Sequence, residues 1–94
     1  MKYQLYYYHD VWGNEEDGWF VNNQSIFGTI DIKEEDDDED VKDKLLDALE
    51  HFGFDIGHIV HVGFYVDRQS SDERIEFNIG EHDMPFAALV KVEE

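Results

Sequence analysis

The sequence predicts an α+β domain, with one amphipathic helix packed on a mainly antiparallel sheet in the order β-β-β-α-β-β-β. Three observations predict it. Residues 3–11, 58–66 and 74–79 alternate apolar and other side chains with the two-residue period of a strand. Only one segment, 38–52, repeats its apolar residues at helical spacing. Glycine- and asparagine-bearing stretches cut the chain between these runs. The chain has 94 residues, the size of one domain spanning 1–94.

The elements follow in order. In 3–11 one face reads Tyr3, Leu5, Tyr7, His9 and Val11, and the other reads Gln4, Tyr6, Tyr8 and Asp10. Residues 13–18, Gly-Asn-Glu-Glu-Asp-Gly, have turn chemistry. A short strand is expected at Trp19–Asn22, a turn at Asn23-Gln24-Ser25, and a third strand over 26–32, with Ile26, Gly28, Ile30 and Ile32 on one side. Seven consecutive acids, 34–40, lead into the helix. Its stripe is Val41, Leu45, Ala48, Leu49 and Phe52, its first turn is acidic where the dipole favours anions, and Gly53 fits the C′ position. Strands over 58–66 and 74–79 read as a hairpin around a polar loop, and 86–92 reads as the last strand. The expected buried face is the helix stripe with Leu5, Tyr7, Val60, Val62, Phe64, Ile75, Phe77 and Val90.

Composition excludes several functions. There are 24 Asp+Glu against 7 Lys+Arg, a formal charge of −17, so nucleic acid and anionic membrane surfaces are repelled. A hydrophobic fraction of 41% argues against disorder. Without cysteine there is no disulfide, thiolate metal site or thiol nucleophile. No apolar run has the length of a membrane span, and patterned sequence starting at Met1-Lys2-Tyr3 predicts no signal peptide; the expectation is a cytoplasmic protein. Four roles for the charge remain: solubility, docking of a basic partner, cation binding, or imitation of DNA.

One acidic pattern stands out. Asp36, Asp40, Asp43, Asp47 and Glu50 follow at steps of four and three residues. At roughly 100° per residue they share a narrow arc opposite the apolar stripe, climbing by about 5 Å per step, the order of the phosphate spacing along DNA. Lys42 and Lys44 sit at the flanks of the stripe. The plain alternative is a solvated face.

Other chemistry is thinner. Asp36, Asp38, Asp40 and Asp47 match an EF-hand count, but the glycine position holds Val41 and no helix precedes the run. His58 and His61 point to opposite faces of an expected strand, and His9 and His82 complete no zinc spacing. His51 or His61 could act as a base, yet Ser25, Ser70 and Ser71 have no nucleophile elbow. No enzyme, metal or cofactor is expected. The rings of Tyr6, Tyr8, Trp12, Trp19, Phe20, Phe27 and Tyr65 form either an exposed interaction patch or a second small core.

The stretch Asp10–Asn22, with Trp12-Gly13-Asn14 and Asp17-Gly18, resembles the opening of small uncharacterised acidic proteins of bacteriophages and mobile elements. The resemblance implies no catalytic residue. It implies a context in which small acidic phage proteins inhibit host restriction or CRISPR effectors by presenting carboxylates in place of phosphates. The expected function is thus a non-enzymatic inhibitor that binds a basic, nucleic-acid-binding protein surface, itself contacting neither nucleic acid nor membrane. The expected contacts are Asp36, Asp40, Asp43, Asp47 and Glu50, with Tyr6, Tyr8 and Tyr65 as anchors. The alternative is an accessory module that self-associates, as a homodimer for example, with acids that only confer solubility.

Overall fold

The computed structural model describes residues 1–68, 73–80 and 83–92. Five strands and two helices follow the order β-β-α-α-β-β-β. They are β1 (Lys2–Asn14), β2 (Gly18–Asp31), α1 (Asp38–His51), α2 (Gly57–Val62), β3 (Phe64–Arg68), β4 (Arg74–Ile79) and β5 (Met84–Lys91). The sheet is antiparallel throughout, in the spatial order β2-β1-β5-β4-β3.

This order corrects the sequence expectation twice. First, residues 18–31 are one strand, not two. Asn23, Gln24 and Ser25 pair with Asp10, Tyr8 and Tyr7 of β1. Cross-strand side-chain bonds hold them there, Asn22 Nδ2 to Asp10 at 3.1 Å and His9 Nε2 with Ser25 Oγ. Polar residues that favour a turn in isolation stay extended because β1 supplies a ladder. Second, the first part of the expected 58–66 strand is helix α2. Its apolar residues satisfy both periods, since Ile56 and Ile59 are also one helical turn apart. Asp55 Oδ1 accepts from Gly57 N at 3.0 Å to start the turn, and Gly63, at φ +89°, ends it. Val60, expected inside, is 56% exposed, and Ile59 takes its place in the core.

The expectation of a single helix packed on the sheet is corrected as well. The sheet's inner face carries Tyr3, Leu5, Ile75, Phe77 and Leu89, and its cover is shared. α1 contributes Val41, Leu45 and Leu49, α2 contributes Ile59, and the connection between them contributes Phe54 and Ile56. Phe52, expected in the stripe, is the 41% exposed C-cap and tilts against Phe27 at 5.5 Å. Tyr7 is half-buried, stacked on Phe54 at 4.3 Å. Val90 turns to the outer face, opposite Gln4 and Arg74, while Leu89 is fully buried.

Bulges set these phases. Gly28 is an extra residue in β2 at φ +36°, between the pairs Gln4–Thr29 and Leu5–Phe27. Phe27 and Ile30 therefore both pack on the core, and Ile26 is 53% exposed. β5 pairs with β1 only through Tyr7, so residues 8–24 continue as a two-stranded arm beyond the sheet. Trp12 and Phe20 face each other across the arm with rings stacked 4.6 Å apart.

Candidate functional site

The expected acidic stripe divides. Asp36 precedes the helix, in a turn where its Oδ2 accepts from Lys33 N at 2.8 Å. Lys44 Nζ, reaching back along α1, donates to the same oxygen. The Lys44 bond first and the Lys33 amide second hold the Asp36 carboxyl below its ordinary pKa. Asp36 is therefore a structural, neutralised acid. Asp40 has two roles, since Asp37 caps α1 by accepting from Asp40 N at 2.9 Å and Asp40 reciprocates by accepting from Asp37 N at 3.4 Å. Both remain solvent-facing carboxylates.

Asp43, Asp47 and Glu50 remain. They are exposed on α1 and have no hydrogen-bond or ion-pair partner among the described residues. Their positions oppose the buried Val41, Leu45 and Leu49. The nearby lysines are turned elsewhere. Lys44 is bound to Asp36, and Lys42 reaches Glu39 at 3.7 Å and lies over the Phe64 ring at 4.9 Å.

Beside this face lies a shallow groove of about 250 Å³ between α1 and α2, bounded by Glu39, Lys42, Asp43, Leu46, Val60 and Phe64. Leu46 and Val60 give it an apolar lining at the edge of the carboxylates, and Lys42 lies in the same lining beside Glu39 and Phe64. Sequence reading placed Val60 inside; only the helical conformation of 57–62 brings it out.

The three tyrosines belong to another surface. Tyr3 and Leu5 face the helices, so Tyr6 and Tyr8 face outward from the sheet, with Arg74, Glu76, Asn78 and Tyr65 across the ladder. Tyr6 is half-buried, its hydroxyl 3.4 Å from Gln4 Oε1. Tyr8 is only 6% exposed and accepts from Arg74 Nη2 at 2.6 Å, while Arg74 Nε donates to Glu76 at 2.8 Å. Burial raises the Tyr8 pKa against the pull of Arg74. Tyr65 accepts from Asn78 Nδ2 at 3.1 Å and donates to Asp83 Oδ1 at 2.8 Å. The Asn78 bond lowers its pKa, but desolvation and the Asp83 and Asp67 carboxylates outweigh it and leave it raised. These tyrosines are tied into a polar network, and the sheet separates them from the acidic face.

Comparison with protein-family models, curated proteins and solved structures gives no match. The site therefore stands on its own geometry.

Among the described residues no three His, Asp or Glu side chains converge as a metal site. His82, Ser70 and Ser71 lie outside the described residues. No helix among those described is long and apolar enough to cross a membrane. His9 and Ser25 join two strands across a bulge, a bond that fixes the arm.

Proposed function

We propose that this chain is a non-enzymatic, cytoplasmic binding protein whose α1 face docks on the basic, nucleic-acid-binding surface of another protein, as an inhibitor of host-defence proteins would. One observation carries the reading. Asp43, Asp47 and Glu50 stand exposed on one side of α1, with Asp40 at its start, while the neighbouring lysines are engaged elsewhere. An acidic surface that served only solubility would gain by interleaving its lysines with its acids, since like charges one helical turn apart destabilise the helix. Here Asp36 already occupies Lys44, and Glu39 with the Phe64 ring occupies Lys42. The groove lined by Leu46 and Val60 adds an apolar contact beside the charges. Electrostatic steering would make association fast and salt-sensitive.

The test is capture from a bacterial lysate with the wild type and with the Asp43→Asn, Asp47→Asn, Glu50→Gln variant. A nucleic-acid-binding protein retained only by the wild type, and released by duplex DNA or raised salt, is the expected result. Equal retention by the variant would defeat the reading. Asp40 is left intact in this variant because its loss would also weaken the helix cap.

A further inference from the structure

We propose that the outer edge of β2, from Trp19 to Phe27, is a strand-addition site for an extended segment of a protein partner bearing lysines or arginines at both ends. This surface goes beyond the α1 face and does not depend on it.

β2 is the terminal strand of the sheet among the described residues, and there it pairs with β1 alone. The backbone N–H and C=O groups on its other side therefore meet no strand among the described residues, a template for another chain. Proteins guard such edges with charges, prolines, bulges or shortness. β3, the opposite edge, is guarded: it has five residues, and Asp67 and Arg68 are among them. β2 has fourteen residues, and from Gly18 to Ile30 it contains neither a charged residue nor a proline. In a chain that is 33% charged, this is the longest uncharged run.

The free length is bounded. The hairpin turn ends it before Gly18 and the Gly28 bulge ends it on the other side, and Asn22, an extra residue between the pairs Val11–Val21 and Asp10–Asn23, bends it in between. The intervening strand spans roughly 30 Å at about 3.3 Å per residue. Phe20, Val21 and Ile26 are 49%, 40% and 53% exposed along it, offering apolar contacts to alternate side chains of an added strand. Trp12, stacked on Phe20, widens that platform.

Charge decides between occupants. Glu16 and Asp17 flank one end of the strand; at the other, Asp31, Glu34 and Glu35 outnumber Lys2, which stands opposite Asp31, and Lys33. A second copy laid antiparallel on β2 would set Glu16 and Asp17 of each chain near Asp31 and Glu34 of the other, with −17 on each chain. An extended segment with basic ends meets acids at both ends, while its backbone fills the ladder.

The probe is a peptide of alternating Thr and Val, about nine residues long to match the strand rise, with lysines at both ends. Both tryptophans of the chain lie on the arm, so intrinsic fluorescence reads the edge directly. A saturable fluorescence change is expected, with amide shifts concentrated in residues 19–27. A peptide of equal charge with a central proline should bind about tenfold more weakly or worse, as should the Val21→Lys, Ile26→Lys protein variant. The Asp43→Asn, Asp47→Asn, Glu50→Gln variant should bind the peptide as the wild type does, which separates this site from the α1 face. Equal binding of the proline peptide would reduce the interaction to charge alone and overturn the proposal. So would absence of binding, or a dimer in sedimentation that the Ile26→Lys change dissolves.

Discussion

Lys44 and Asp36 form an ion pair that closes the turn before α1, eight residues apart in sequence and on opposite sides of the helix cap. The bond removes Asp36 from the set of acids open to a partner. Asp36→Asn should therefore lower stability at neutral pH and leave partner affinity unchanged. The pH dependence has a definite sign. Because Asp36 is held below its ordinary pKa, its contribution is complete above about 3.9, the unfolded value, and is lost as pH falls through the folded value. Urea midpoints of wild type and variant should differ by a constant amount at neutral and mildly acidic pH and converge below about pH 4. A gap that persisted at low pH would mean that Asp36 acts through shape rather than charge.

Asp37 and Asp40 hold the first turn of α1 by a reciprocal cap. Replacing an N-cap carboxylate by alanine costs about 1 kcal/mol, within roughly 0.5–2. Asp37→Ala should lower the urea midpoint by that free energy divided by an unchanged m-value. A null effect would show that core burial of Val41 and Leu45 alone fixes the helix start.

Much of α1 was legible because its signals agree at every level. The apolar spacing, acidic first turn and C-terminal glycine all mark the same segment, and Gly53 sits at φ +88°. Strand β4 was legible for the same reason, since Ile75 and Phe77 alternate strictly and are both buried. The element order was not. Asn23-Gln24-Ser25 has the composition of a turn, and only the pairing with β1 keeps it extended. The 58–66 run fits two periods, and its helix is chosen by the core's demand for Ile59. Of the site, the acids at 43, 47 and 50 followed from helix geometry. Asp36 did not, because the spacing was extended past the cap at Asp37, where helical angles no longer apply. The partners of two tyrosine hydroxyls were not legible because they lie far away in sequence, Arg74 for Tyr8 and Asp83 for Tyr65.

Gly13 carries the tightest constraint in the arm. Its φ is +121°, and a Cβ there would lie 2.3 Å from the Gly18 carbonyl oxygen. Asn14 Oδ1 accepts from Asp17 N at 2.7 Å and closes the turn that follows. Gly13→Ala should cost roughly 1–3 kcal/mol of backbone strain or displace the strand end. Near-ultraviolet circular dichroism of the Trp12–Phe20 stack should show the displacement, because both residues lie beside this turn. An unaltered spectrum and unaltered stability would contradict the positive φ.

The acidic face of α1 should weigh against the protein's own stability. Asp43, Asp47 and Glu50 succeed one another at helical-neighbour spacing, and such like-charged pairs cost a few tenths of a kcal/mol each. The chain as a whole carries −17, so self-repulsion adds to this local term. Raising sodium chloride from about 0.01 M to about 1 M shortens the screening length from roughly 30 Å to roughly 3 Å. The urea midpoint of the wild type should rise over that range. The Asp43→Asn, Asp47→Asn, Glu50→Gln variant should be the more stable at low salt, gain less from added salt, and lose the partner. That combination, higher stability with lost binding, is the trade-off expected of acids kept for recognition. If the variant were no more stable than the wild type at low salt, the exposed carboxylates would not be repelling one another, and the charge-based account of this face would lose its energetic basis.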